Sequence, residues 1–217
     1  MTTQPQPLAV LWDMDGTLID QTVAIVRCYE AVITGLGHRA PDPQAIRRSL
    51  GGPMASTMAL FVEDSQLEDA CQQFRARFPE MMYGGLEILP GALPCMEYFS
   101  SLGIPQAILT NKHGETARAV SQHCGFDAFV SVCFGNGDTK WSKPEPELGR
   151  TVLERLGIEA AGAILIGDSP TDVATAQAID IPCYAVATGA HSEAELQTAG
   201  AYASYPCLNT LLADLQA

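Results

Sequence analysis

The sequence predicts an α/β fold: a parallel sheet with crossover helices, interrupted early by an all-helical insert. Three observations carry this reading. An apolar run from Leu8 to Trp12 has the length and character of a buried strand. Residues 20–88 then show helical spacing with no comparable strand signal. From Pro90 onward, helical stretches alternate with short apolar runs, the pattern of a parallel sheet built from crossover units.

In chain order, the opening strand leads into QTVAIVRCYEAVITGLGH. There Val23, Val26, Ala31 and Ile33 recur at roughly helical spacing, and Gly35 and Gly37 end the run. Further helices are expected from Pro43 to Leu50, Pro53 to Val62 and Ser65 to Met82. Later strands are expected in IPQAILT, FVSVCFG, AGAILIG and IPCYAVA. Residues 1–19 and 89–217 would then form one core domain, and residues 20–88 a helical cap inserted between its first two strands. Asp20-Gln21 and Gly84-Gly85 are the expected hinges.

A chain of 217 residues has room for a full core and a smaller second module. Its 47% hydrophobic content describes a folded globular protein rather than a disordered one. The formal charge of −13 opposes nucleic acid and anionic membrane surfaces, which demand clustered Lys and Arg. An anionic substrate must therefore be met by local cations. The seven cysteines include no CxxC pair and suit free core thiols in a reducing compartment. No stretch is long enough to span a membrane, and the first residues lack the order of a signal peptide. The expected location is the cytoplasm, as a monomer or homodimer.

The opening strand ends in Asp13-Met14-Asp15. Residues two apart on a strand share a face, so the two carboxylates crowd each other. One must stay protonated or a cation must bind, unless both simply begin a solvated turn with Gly16. Ligands of open α/β sheets bind at the carboxyl ends of the strands, and the other ends also carry polar groups. The second expected strand closes on Thr110-Asn111-Lys112, the third is followed by Lys143 in SKPEPE, and the fourth ends in GDSPTD with Asp168 and Asp172. Each has a plainer account: Thr110 and Asn111 as a helix cap, Lys143 as a solvated loop lysine, Asp168 and Asp172 as caps of a helix near Pro170. Their convergence on one sheet edge favours chemistry.

That chemistry is coherent. Asp13, Asp168 and a carbonyl near Asp15 suit Mg2+, a hard cation that takes oxygen ligands and a substrate phosphate. With the charge offset, Asp13 can attack phosphorus and form an aspartyl phosphate. Asp15 can protonate the leaving group and later deprotonate water. Thr110, the Asn111 amide and Lys143 can bind the phosphoryl oxygens.

DMDGTLID, LTNK, SKPEPE and IGDSPTD, in that order and spread over nearly the whole chain, resemble the four motifs of the haloacid dehalogenase superfamily. The helical insert resembles the cap of the subgroup that holds phosphoglycolate phosphatases and β-phosphoglucomutases. The resemblance implies a Rossmann-like core, Mg2+, Asp13 as nucleophile and Asp15 as general acid/base. It also implies phosphate binding by Thr110, Asn111 and Lys143, and metal binding by Asp13, Asp15 and Asp168 with Asp172 in support. Asp15 favours phosphoryl transfer over dehalogenation, and the absence of any Lys before Lys112 argues against phosphonoacetaldehyde hydrolases. TNK, GNGD, GDSPTD and TGAHSEAEL look most like phosphoglycolate phosphatases. The expected enzyme is a phosphatase of a small phosphorylated metabolite, 2-phosphoglycolate first. A sugar phosphomutase, or a pyrophosphatase or nucleotidase of the same family, is the alternative. A receiver domain is disfavoured because its acceptor Asp lies on a later strand, and a non-catalytic binding protein because no motif residue is missing. Gln21 and Asp180 depart from the family pattern, in positions expected to lie outside the chemistry.

Substrate choice is expected in the cap. Arg47 and Arg48, before the Leu50-Gly51-Gly52-Pro53 turn, are the candidates to reach a carboxylate or second phosphate, with solvated helix positions as the alternative. Met54, Met58, Met81 and Met82 read as lid packing, and Arg75 and Arg77 as an exposed face. His113 and His191 could touch the pocket rim.

Overall fold

The computed structural model describes residues 6–217. The first strand, β1 (Ala9–Trp12), is buried along its whole length. It is followed by a two-residue strand, β2 (Ile19–Asp20), and four helices: α1 (Thr22–Gly35), α2 (Pro43–Ser49), α3 (Met54–Met58) and α4 (Asp64–Met81). A second two-residue strand, β3 (Glu87–Ile88), returns antiparallel to β2, with Ile19 opposite Ile88 and Asp20 opposite Glu87. The chain then alternates: α5 (Ala92–Ser101), β4 (Gln106–His113), α6 (Gly114–Cys124), β5 (Val132–Asn136), α7 (Pro146–Leu156), β6 (Ala163–Gly167), α8 (Pro170–Ala178), β7 (Cys183–Val186), α9 (Glu193–Ala199), β8 (Ala203–Tyr205) and α10 (Leu208–Leu215).

The main sheet has six strands in the order β5-β4-β1-β6-β7-β8, every neighbouring pair parallel. β1 is central because it is apolar on both faces. Val10 and Trp12 enter one core, with Ile108, Ile166, Phe99 and Leu211. Ala9 and Leu11 enter the other, with Leu109, Leu165, Val152 and Val173. This period-2 division is what a strand buried on both sides requires. The buried Gln106 side chain at the start of β4 is matched: Trp12 Nε1 donates to Gln106 Oε1 at 2.9 Å, and Gln106 Nε2 donates to the Met96 carbonyl at 2.9 Å.

The chain reverses direction of growth at β1: β4 and β5 lie on one side, β6 to β8 on the other. A crevice at the carboxyl end of β1 follows from that switch. The larger core also includes Met14, Leu18 and Ile19 and the buried stripes of the insert, so apolar packing is continuous between them. In α1 the stripe is Ala24, Ile25, Cys28, Tyr29, Val32 and Ile33, and in α4 it is Ala70, Cys71, Phe74 and Phe78, both at helical spacing. α1 packs against α4.

The short strands β2, β3 and β8 were not expected from the sequence. Asp180 adopts φ +58°, a left-handed conformation that favours glycine. Among the described residues, no helix is long and apolar enough to cross a membrane.

Candidate active site

Asp13 follows β1 directly and is buried. Its Oδ1 accepts a 2.6 Å bond from Lys143 Nζ, and the same ammonium donates at 2.6 Å to Asp172 Oδ1. The Lys143 side chain has no exposed surface. Burial favours its neutral form, but the two carboxylates outweigh this and hold its pKa above the ordinary lysine value. Burial also raises Asp13, with Lys143 opposing and Asp172 adding to the rise, to about 6. Asp168 is raised well above the ordinary carboxylate range, by burial first and then by the charges of Asp13 and Asp172. One ammonium thus faces three buried carboxylates.

Oxygens of Asp13, Asp168 and Asp172 lie within 4.8 Å of one another, the spacing of a metal site. They are not equally free. Asp172 is the acidic member of a capping box at the start of α8: its Oδ2 accepts from the Ser169 hydroxyl at 2.6 Å and the Ser169 backbone N–H at 3.1 Å. Its other oxygen is held by Lys143, so it braces the ammonium. Asp168 accepts, among the described residues, only the Thr17 hydroxyl at 3.2 Å. Two glycines let the backbone approach its carboxylate closely. A Cβ on Gly16, which sits at φ +92°, would stand 2.5 Å from Asp168 Oδ2, and one on Gly189 would collide with the same oxygen. These are clustered hard oxygen donors, a set whose chemistry fits Mg2+.

Asp15 is positioned by a tight reversal after β1, in which Gly16 N–H donates to the Ile19 carbonyl at 2.8 Å. Its carboxylate stands apart from the three-acid cluster. Lys112 Nζ grips both of its oxygens, at 3.0 and 2.9 Å. Lys112 also donates to Gln21 Oε1, and Gln21 Nε2 donates to the Met82 carbonyl of the insert. The sequence reading placed Gln21 outside the chemistry and gave Lys112 no role; the structure corrects both, because Gln21 is buried and shares the ammonium that holds Asp15.

Thr110, Asn111 and Lys112 lie where β4 loses register with β5, between Leu109 and His113. Such an irregularity re-aims side chains at a strand end. Thr110 is buried, and its oxygen accepts the Lys112 backbone N–H at 3.2 Å, leaving the hydroxyl hydrogen without an acceptor among the described residues. The Asn111 side chain is committed: Nδ2 donates to the Gly51 carbonyl at 3.0 Å and the Lys143 carbonyl at 3.1 Å, and Oδ1 accepts the Lys143 N–H at 2.9 Å. It fixes the loop that presents Lys143 and meets the Gly51 turn of the insert.

The arginines fall elsewhere. Arg48 Nη2 donates to Glu195 Oε1 at 2.6 Å, tying α2 to α9 at the surface. Arg47 lines a small cavity beside Asp15, Asp20 and Asp168. Above Asp13 and Asp15 opens a larger cavity of about 350 Å3, which reaches Thr110, Lys112 and His113 and is walled by the insert. Met54 and Met82 line it, while Met58 is buried in the core. His191 stands outside both cavities, with Nδ1 buried and unpartnered and its pKa lowered by burial.

The chain is similar to known proteins in sequence and fold. The family described as haloacid dehalogenase-like hydrolase matches residues 10–186. A Dickeya dadantii protein named "Probable phosphatase IndB" is 29% identical over 88% of this chain and 85% of its own. A Rhodospirillum rubrum phosphoglycolate phosphatase is 28% identical over 92% and 87%. The solved structure of a haloacid dehalogenase-like family hydrolase from Streptococcus pneumoniae superposes with a TM-score of 0.88 at 24% identity, covering 100% of both chains. With the match spanning the strand that ends in Asp13 and the one that ends in Asp168, the chain belongs to the haloacid dehalogenase-like hydrolases.

Proposed function

We propose that this hydrolase is a Mg2+-dependent phosphatase of a small phosphorylated metabolite, working through an aspartyl phosphate on Asp13. The observation that carries the reading is Asp13 itself: a buried carboxylate at the end of the central strand, one oxygen held by Lys143, facing Asp168 and open to the larger cavity. The names of the relatives support it.

Asp13 and Asp168 are the residues that would hold Mg2+, with Asp172 bracing Lys143 behind them. When bound, the cation offsets the negative charge that otherwise keeps a phosphate away from three carboxylates. The free oxygen of Asp13 attacks phosphorus, and the P–O bond to the alcohol breaks. Asp15, held by Lys112, supplies the proton the alcohol oxygen needs. It then takes a proton from water, whose oxygen displaces Asp13 and releases inorganic phosphate. Thr110, the Asn111 backbone N–H and Lys143 hold the phosphoryl oxygens and meet the charge that grows on them. The insert over residues 20–88 acts as a lid that turns at Asp20-Gln21 and Gly84-Gly85.

Phosphate release from 2-phosphoglycolate and a panel of phosphate monoesters, with Mg2+ or with EDTA, tests the reading. Wild-type protein should release phosphate only with Mg2+, and Asp13→Asn should lower the rate by about 10^4 or more. Undiminished release from Asp13→Asn sinks the covalent mechanism, and release unaffected by EDTA sinks the metal.

A further inference from the structure

The larger cavity has two unlike halves. Its floor is ionic: Asp13, Asp15, Thr110 and Lys112. Its walls, from the insert, are Ile25, Tyr29, Met54, Phe74, Phe78 and Met82. Phe74 and Phe78 stand one helical turn apart on α4 with rings stacked at 5.3 Å and 14°, and Tyr29 tilts against Phe74 at 4.6 Å.

Only three of the insert's lining side chains are polar, namely Tyr29, Thr57 and Arg75. Two are already engaged: the Tyr29 hydroxyl donates to the Met54 carbonyl at 3.2 Å and the Thr57 hydroxyl to the Ser49 carbonyl at 2.9 Å. The third, Arg75, is exposed at the rim, where exposed Glu115 also lines the cavity with the opposite charge. On the insert side an occupant therefore meets rings, thioethers and alkyl groups, while Lys112 Nζ stands 5.1 Å from the centroid of Phe78 and His113 and Thr116 line the opposite side.

A two-carbon acid fits this poorly. The carboxylate of 2-phosphoglycolate needs a cation; Lys112 is taken by Asp15, Lys143 by Asp13 and Asp172, and Arg48 by Glu195, which leaves Arg75 at the exposed rim. Arg47 belongs to the smaller cavity. The volume of about 350 Å3 lies in the range of sites that enclose a ring-bearing ligand rather than two carbons.

We infer that the substrate is a phosphate monoester of an aromatic alcohol, whose ring lies against Tyr29, Phe74 and Phe78 while its phosphate reaches Asp13. The inference rests on the phosphatase reading for the placement of the phosphate. Selection is made by the rings that line the walls, with Arg75 as the cation at the rim.

Phosphonates carry a P–C bond that is not hydrolysed, so they separate recognition from turnover. Binding of benzylphosphonate, cyclohexylmethylphosphonate and 3-phosphonopropionate to the intact protein with Mg2+ can be compared by calorimetry. Benzylphosphonate should bind at least about tenfold tighter than 3-phosphonopropionate and about threefold tighter than the cyclohexyl compound. Phe74→Leu and Phe78→Leu, which keep an apolar side chain in the core, should narrow both ratios. Equal or tighter binding of 3-phosphonopropionate overturns the inference, as does a benzyl preference indifferent to both Leu variants. Equal binding of the benzyl and cyclohexyl compounds overturns its aromatic part. A preserved benzyl preference in a protein that releases phosphate from no monoester supports the ring site and sinks the phosphatase reading alone.

Discussion

The floor and the walls of the cavity are built on opposite principles. The floor is a closed set of charges in which Lys143 serves two carboxylates, Asp172 serves Lys143 and Ser169, and Lys112 serves Asp15 and Gln21. Removing Lys143 leaves both Asp13 and Asp172 buried without their counter-charge, and an uncompensated buried charge costs several kcal/mol. The walls are apolar contacts without direction. Losing part of a ring there costs about 1 kcal/mol when a similar volume remains. The floor is fixed by partnered charges, and the walls by apolar contacts that tolerate exchange.

The comparison can be broken at its strongest point. Lys143→Met should abolish turnover and destabilise the fold by about 3–5 kcal/mol in urea denaturation, since Asp13 and Asp172 lose their common counter-charge. Adding Asp172→Asn should recover part of that stability without restoring turnover. A single variant as stable as wild type would show that the floor is not ionically closed.

Asp15→Asn should lower kcat by about 10^2–10^4 with Mg2+ binding retained, because Asp15 lies outside the three-acid cluster. Loss of Mg2+ affinity in that variant would make Asp15 part of the metal site instead. Phe78→Leu sharpens the contrast from the other side. It should cost about 1 kcal/mol of stability and leave Mg2+ affinity intact.

The smallest effect belongs to the Arg48 to Glu195 tie. Glu195 is held down to about 2, by the Ser192 backbone N–H and hydroxyl of the α9 capping box and then by Arg48. Because its folded pKa is depressed, this carboxylate stabilises the fold fully above its ordinary value of 4.5, and the contribution is lost as pH falls towards about 2. Melting curves of wild type and Glu195→Gln should therefore differ slightly at neutral pH and converge in acid. A gap that widens in acid would contradict the assignment.

The same contrast explains what was legible in the sequence. The ionic floor was visible because carboxylates and a lysine at the ends of apolar strands are chemically conspicuous: Asp13, Asp168 and Lys143 each follow a core strand, and the structure brings them together. The sheet was visible for a related reason, since strands buried on both faces read as unbroken apolar runs. Gln21 escaped because its partner Lys112 is 91 residues away and no local pattern records the bond. The walls escaped because a ring lining a cavity has the same helical spacing as a ring filling a core, as Phe74 and Phe78 do at once. β2 and β3 have two residues each, too few for any periodicity to register.

Asn111 gives the site a test of coincidence. One amide nitrogen holds both the Gly51 turn of the insert and the carbonyl of Lys143, while its oxygen holds the Lys143 N–H. Displacing the Gly51 turn takes an acceptor away from a side chain that is only 8% exposed, a loss of about 1–3 kcal/mol unless water replaces it. The same short side chain thus ties the position of the Gly51 turn to that of the loop carrying Lys143, so that a displacement of either is felt at the other.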